Sequence, residues 1–398
     1  MLADRLNRIK PSPTLAVIQK ARSLKASGRD IINMGGGEPD FDTPAHIKQA
    51  AIDAMNRGDT KYTEVDGTPQ LKKAIAAKFL RENGLTYAPE QISVGTGGKQ
   101  VLYNVFMAAL NAGDEVIIPA PYWVSYPDIV LLAEGVPVIV PCSEEQEFKI
   151  TPAQLEAAIS EKTRWLILNS PSNPTGAAYS AEELKALAEV LLRYPAVKVL
   201  SDDIYEHLLY DGQVFATIAA VEPKLYDRVV TLNGVSKSYA MTGWRIGYAG
   251  GPAALIKGMS KVQSQSTSNP CSIAQAAAVG ALEGDQQFLG QAAAVYVERR
   301  DKAVAFLNNV SGISVLSPRG AFYLYVSCLG LIGKKTPDGK ILHSDSDVVG
   351  YLLEEEGIAC VQGEAFGLSP YFRLSFAVAT DILMDACARI ERAVKKLV

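Results

Sequence analysis

From residue 91 onward the chain alternates short apolar runs, rich in β-branched residues, with stretches of helical periodicity. This alternation constrains the fold more than any other feature. EVIIPA (115–120), PVIVPC (137–142), RWLILNS (164–170), VKVLSDD (197–203) and RVVTLNG (228–234) read as strands buried on both faces. Between two of them lies SAEELKALAEVLLRY, where Ser180 and Glu183 form a capping box. Leu184, Leu187, Ala188, Leu191 and Leu192 then fall on one helical face. Repeated strand–helix–strand units predict a largely parallel sheet covered by helices on both sides.

After about residue 285 the texture changes. FLGQAAAVYVERRDKAVAFLNNV reads as a long helix, ISVLSPRGAFYLYVS as strands around a turn at Pro318–Gly320, and the rest as helix, strand and helix. The expected organisation is an N-terminal segment (1–45) packing with a small α/β domain (285–398), and a large domain (46–284) between them. A length of 398 residues fits two or three domains at ~150 residues each.

Composition excludes several function classes. A net charge of -4 with no cationic tail argues against nucleic-acid binding. No uninterrupted apolar run approaches the ~18 residues of a membrane span, and MLADRLNRIKPSPT lacks the apolar stretch of a signal peptide. Five cysteines without a CxxC pair and three scattered histidines argue against a metal site and favour a reducing cytoplasm, with all five thiols read as buried.

In an open α/β sheet, ligands bind beyond the carboxyl ends of the strands. Five strand ends here deliver polar or aromatic groups: GTGGKQ (95–100), PYWVSYPD (121–128), NSPSNPTG (169–176), SDDIYEHLLY (201–210) and TLNGVSKSYAMTGWRIGY (231–248). The glycines before a helix are either a plain turn or a phosphate cradle of bare N–H groups, with Arg245 as the balancing cation. Lys237, isolated among small residues, either snorkels or sits desolvated as a nucleophilic amine. Asp202 either caps a turn or faces a ring nitrogen and keeps it protonated. Asn173 is a turn residue or a donor to a phenolic oxygen, with Tyr205 on the same side; Trp123 is core or a ring that stacks on a flat cofactor. Pyridoxal phosphate asks for this set: an aldehyde that needs a lysine and a pyridinium that needs an acidic partner.

These segments, together with GGGEPDFDTP (35–44), KYTEVDGTPQLKKAIAAKF (61–79) and YFRLSFA (371–377), resemble the class I aminotransferases of the type I pyridoxal-phosphate-dependent fold. The bacterial aspartate aminotransferase branch, with its aspartate/prephenate members, is the most similar. The resemblance spans nearly the whole chain. It implies a large domain with a mostly parallel seven-stranded sheet and a smaller α/β domain. It also implies that Lys237 carries the cofactor and shuttles a proton, and that Asp202 pairs with the ring nitrogen. Asn173 and Tyr205 would hold the phenolic oxygen and Trp123 would stack on the ring. Gly97, Gly98, Lys99 and Arg245 would hold the phosphate, joined by Tyr62 from the second subunit of a homodimer with shared active sites. Arg373 would bind the substrate α-carboxylate beside the Gly37 backbone, with Trp123 and Asn173 also lining the substrate.

Two positions depart from the common pattern. Gly234 stands where many members have a phosphate-binding serine, and QSQSTSNP (263–270) lacks the arginine that animal-type enzymes use for a distal carboxylate. The bacterial branch uses a lysine at the position of Lys99 and a threonine matching Thr14 instead; Thr14 reads equally as a helix N-cap. The activity implied is exchange of the amino group between aspartate and 2-oxoglutarate, with prephenate as a further acceptor. Alanine, aromatic or kynurenine transaminases and a non-catalytic protein of the same fold are the alternatives.

Overall fold

The computed structural model describes residues 2–398. Its strands, in chain order, are β1 Ile32–Asn33, β2 Ile92–Thr96, β3 Glu115–Ala120, β4 Val136–Pro141, β5 Thr163–Asn169, β6 Lys198–Asp202 and β7 Val229–Gly234. They continue with β8 Ile246–Gly250, β9 Ser314–Val315, β10 Tyr323–Ser327, β11 Ile358–Ala359, β12 Val361–Gln362 and β13 Tyr371–Ser375. The five runs read as buried strands are β3 to β7 of one seven-stranded sheet in the order β2-β8-β7-β6-β5-β3-β4; β4 differs from the expectation, being half-buried to exposed because it lies at the sheet edge with a neighbour on one side only. The sheet is parallel except for β8, which runs antiparallel to both neighbours.

Helices cover both faces of this sheet, and apolar clusters fill the space on each side. The helix Ala181–Arg193 opens on the expected capping box: the Ser180 hydroxyl accepts from Glu183 N and the Glu183 carboxylate accepts from Ser180 N. One position of its buried face differs from the expectation. Val190 is buried, whereas Leu192 is 37% exposed, because the sheet-facing stripe ends one residue earlier than a count of leucines suggests.

The antiparallel sheet β12-β13-β10-β9 forms a second core with the helices Gln287–Leu307, Asp345–Glu356 and Thr380–Lys395. β1 pairs in parallel with β11, so the N-terminal segment enters this part of the molecule. A backbone strap joins the two sheets. Ala321 N donates to Leu208 O, Tyr210 N to Arg319 O and Gly320 N to Gly176 O, all at 2.9–3.0 Å. Arg300 grips Asp211 through both terminal nitrogens at 2.6 and 2.8 Å. The segment leaving β6 is thereby fixed to the turn that enters β10.

Four cysteines are buried as expected, but Cys271 is exposed, because it precedes the helix Ser272–Glu283 at a surface position. Among the described residues no helix is long and apolar enough to cross a membrane.

Candidate active site

The carboxyl ends of β5, β6 and β7 open onto a cavity of about 510 Å³, and the second sheet and the N-terminal segment close its far side. Gly97 sets the first corner. At φ +82° it caps the helix Gly98–Ala109, a conformation that suits glycine. A side-chain carbon at Gly97 would run into the Arg245 guanidinium, and one at Gly247 of β8 would strike the Gly97–Gly98 backbone. Missing side chains therefore bring the helix start, its free N–H groups and Arg245 together, a cradle suited to a phosphate dianion. The Gly234 position is tight as well: a β-carbon there would meet Ile204 Cδ1 at 3.0 Å and Ile246 O at 3.1 Å. Ser236, buried nearby, supplies a hydroxyl to the same cavity.

Lys237 follows β7 and points inward, its Nζ donating to the Gly37 carbonyl at 2.5 Å. Burial first, then the Arg373 cation, pulls its pKa down to about 8. Asp202 ends β6, accepting the Tyr126 hydroxyl at 2.6 Å and, more weakly, Ile204 N at 3.4 Å. Burial pushes its carboxyl up to about 6, against the pull of those bonds and of Lys237. It thus serves as a local turn acceptor and still faces the cavity. Asn169 ties the next loop in place: its Nδ2 donates to Asp202 O and its Oδ1 accepts from Asn173 N, both at 2.8 Å. Asn173 Oδ1 accepts from Arg373 at 2.8 Å, and Tyr205 OH lies 2.8 Å from Tyr323 OH. Half-buried Trp123 lies on the wall, edge-on to Tyr126 at 5.4 Å, with Lys99 Nζ 4.9 Å from the centre of its ring. Burial first, then Arg245, lowers the Lys99 pKa, so this amine is already under pressure from a second cation.

Arg373 stands in β13 at 2% exposure. It donates to Asn173 Oδ1 and Gly35 O, it has no carboxylate partner among the described residues, and its Nε has no acceptor. A buried guanidinium without a counter-ion is costly unless an anion arrives, so the position fits a substrate carboxylate. Thr14 lines the cavity from the helix Pro13–Ala26; Ser12, not Thr14, holds the N-cap position, because Pro13 opens the helix.

The cavity thus brings together Thr14, Gly37, Gly98, Lys99, Trp123, Asn173, Asp202, Tyr205, Lys237, Arg245 and Arg373. Tyr62 does not line it and is 91% exposed. Sequence reasoning passed over Tyr126, Asn169, Glu38 and Tyr323. Tyr126, Asn169 and Glu38 lie inside motifs already singled out, and Tyr323 lies in the aromatic run after Gly320. Their distant partners, Asp202 for Tyr126 and Asn169, Thr242 for Glu38 and Tyr205 for Tyr323, are 33 to 204 positions away, which no local pattern reveals. The donor set fits pyridoxal phosphate: an amine for the aldehyde, a buried carboxylate for the ring nitrogen, and the glycine–arginine cradle for the phosphate.

The chain matches the family model of aminotransferase class I and II over residues 29–390. It is 60% identical over 391 residues, 98% of each chain, to a probable aspartate/prephenate aminotransferase of Rhizobium leguminosarum bv. phaseoli. It is 59% identical over 390 residues, 98% of each chain, to the aspartate/prephenate aminotransferase of Cereibacter sphaeroides. The crystal structure of the aspartate aminotransferase from Rhizobium meliloti superposes with a TM-score of 0.98 at 54% identity, covering 100% of both chains. The Thermus thermophilus aspartate aminotransferase with maleate gives 0.92 at 42% identity and 99% coverage of both. The sheet order, the cradle and these similarities agree, and the chain belongs to the class I and II aminotransferases, pyridoxal-phosphate-dependent enzymes of the type I fold.

Proposed function

We propose that this aminotransferase moves the amino group of aspartate to 2-oxoglutarate, giving oxaloacetate and glutamate, and that it also accepts prephenate. The observation that carries the reading is Arg373, a buried cation with no carboxylate partner among the described residues, facing the same cavity as Lys237. Pyridoxal phosphate, when bound, supplies an aldehyde for the amino group and a ring that takes up electron density from the substrate α-carbon. Lys237 would hold the aldehyde carbon, and as a buried amine with a lowered pKa it is suited to move the proton at the substrate α-carbon. Asp202 would keep the proton on the ring nitrogen. Asn173 and Tyr205 would donate to the phenolic oxygen, Trp123 would cover the ring face, and Gly98, Lys99 and Arg245 would hold the phosphate at the Gly97 turn.

Arg373 binds the α-carboxylate as a fork, beside the Gly37 backbone. Lys99 and Thr14 read the second carboxylate of a dicarboxylic substrate, since 263–270 offers no arginine. Tyr62 of a second copy reaches the phosphate, so the working unit is a homodimer, and its compartment is the cytoplasm. The chain divides into a large domain (46–284) and a small domain (285–398) with which the N-terminal segment (1–45) packs, a division supported by the pairing of β1 with β11. Specificity constants for aspartate, glutamate, alanine and phenylalanine test the reading. Aspartate and glutamate are expected to exceed the other two by about 10²-fold or more, the worth of pairing a partly buried charge. Equal values would favour an alanine or aromatic transaminase instead.

A further inference from the structure

Tyr323 touches both halves of the site. It opens β10, is 1% exposed and lines the cavity. Its hydroxyl lies 2.8 Å from that of Tyr205. Its ring lies under the Arg373 guanidinium, 4.5 Å from centre to Cζ. Gly37 leaves room for it: a β-carbon there would come within 3.0 Å of the Tyr323 oxygen.

Two phenols at hydrogen-bond distance place only one of their protons between them. The direction depends on what Tyr205 meets on its other side. Opposite an electron-rich ring oxygen, Tyr205 turns its proton to that oxygen, and its own oxygen must then accept. Tyr323 is the donor in place. Hydroxyls aligned in this way polarise one another, and a cation over the Tyr323 ring strengthens its O–H as a donor. The charged or titratable groups facing the pair are Arg373 from β13, Lys237 from the loop after β7, Asp202 at the end of β6, Tyr126 from the helix Ser125–Leu132 and Tyr296 from the helix Gln287–Leu307. The arrangement also works on Arg373. A guanidinium stacked on a fixed ring loses less freedom when it closes on a carboxylate than one held by two carbonyl-type acceptors alone.

We propose that Tyr323 is a positioning residue with two separable parts: its hydroxyl directs the Tyr205 proton toward the phenolic oxygen of the cofactor, and its ring holds the Arg373 fork toward the α-carboxylate. The proposal rests on the reading of Lys237 and Tyr205 given above.

Two variants separate the parts. In the loaded enzyme, the visible absorbance of lysine-bound pyridoxal phosphate changes with pH. Donors on the phenolic oxygen favour the form that has lost the proton, so losing one raises the midpoint. Tyr323→Phe should raise it by about half a unit, the worth of one hydrogen bond. The same variant should leave thermal stability and the affinity for 2-methylaspartate, which has no α-proton to lose, unchanged. Tyr323→Leu should give the same midpoint shift and bind 2-methylaspartate about tenfold more weakly, since the nearer of the two rings on Arg373 is gone and only Phe366, at 5.0 Å, remains. Combined with Tyr205→Phe, Tyr323→Phe should add no further shift. Equal midpoints for wild type and Tyr323→Phe, or a shift that adds in full to that of Tyr205→Phe, would overturn the hydroxyl part. Unchanged affinity in Tyr323→Leu would overturn the ring part. A wild-type protein without any pH-dependent visible band would instead overturn the reading of Lys237.

Discussion

Asp202 and Arg373 are both buried charged groups of one cavity, yet they are supported in opposite ways. The Asp202 carboxylate already accepts the Tyr126 hydroxyl and lies within the seven-stranded sheet, where β5 and β7 flank β6. Among the described residues Arg373 is gripped only by neutral oxygens, Asn173 Oδ1 and Gly35 O, and keeps one donor unused. The first arrangement suits a guest that stays, because its shape is preset by the sheet. The second suits a guest that comes and goes, because the missing charge is left for the guest to bring. Chemistry is thus anchored on the sheet wall and recognition on the wall of β10 and β13, with the strap between residues 205–211 and 318–321 holding the two in register.

The comparison is broken most severely by removing the amine of the sheet wall. Lys237→Ala loses nucleophile and proton shuttle together, and turnover should fall by at least ~10⁴-fold while the cofactor still binds without a covalent link. A variant that keeps a tenth of wild-type kcat would refute the assignment. Asp202→Asn keeps the shape but removes the charge. We expect kcat to drop by about 10²–10³-fold with substrate affinity largely kept, as for loss of a preorganised electrostatic partner. Restored turnover with an N-methylated cofactor, whose ring charge is permanent, would tie the loss to the ring nitrogen.

Changes on the other wall should read out in kcat/KM for substrates. Arg373→Lys replaces a fork with a point charge, and every amino acid should lose about 10²-fold in kcat/KM, whatever its side chain. A loss confined to dicarboxylic substrates would mean that Arg373 reads the distal group. Lys99→Ala should cost about 10²-fold for aspartate and glutamate and little for alanine or phenylalanine, since only the former leave a charge unpaired. An equal loss for all four, with weaker cofactor binding, would assign Lys99 to the phosphate.

The smallest expected effect links the walls. In the cofactor-free protein Lys237 is held near 8 rather than its ordinary 10.5, by burial and then by Arg373. The neutral, reactive amine therefore gains population as pH rises through about 8, and the rate of pyridoxal phosphate capture should rise with it. Arg373→Gln removes a repelling cation and should move that midpoint upward; stopped-flow absorbance measures both.

The large sheet was legible because its central strands are buried on both faces and stand as uninterrupted apolar runs. β8 was not, because IGYAG is short and glycine-rich: its role is to let the Gly97 turn approach, which is a non-local requirement. β1 and β11 escaped for a related reason, being two-residue strands defined only by each other. In the site, Lys237 and Arg245 stood out as charges among small neighbours. Tyr126 and Tyr323 did not, since a buried tyrosine and a core phenylalanine look alike until the oxygen's partner is seen. Thr14 looked like a cap because the sequence around it, SPT, offers two hydroxyls; the proline between them starts the helix, so Ser12 occupies the N-cap position without a side-chain cap bond and Thr14, inside the helix, faces the cavity.

The division of labour between the two walls is tested most directly by a single half-reaction. The protein loaded with pyridoxal phosphate is mixed with aspartate in the absence of any 2-oxo acid, and the oxaloacetate released is counted per chain. One equivalent per chain is expected, with loss of the visible band and its return when 2-oxoglutarate is added. Arg373→Lys should reach the same end point more slowly, and Lys237→Ala should release none. Oxaloacetate released by Lys237→Ala at the wild-type rate, or none from the wild type while another amino acid discharges the band, would contradict that division of labour.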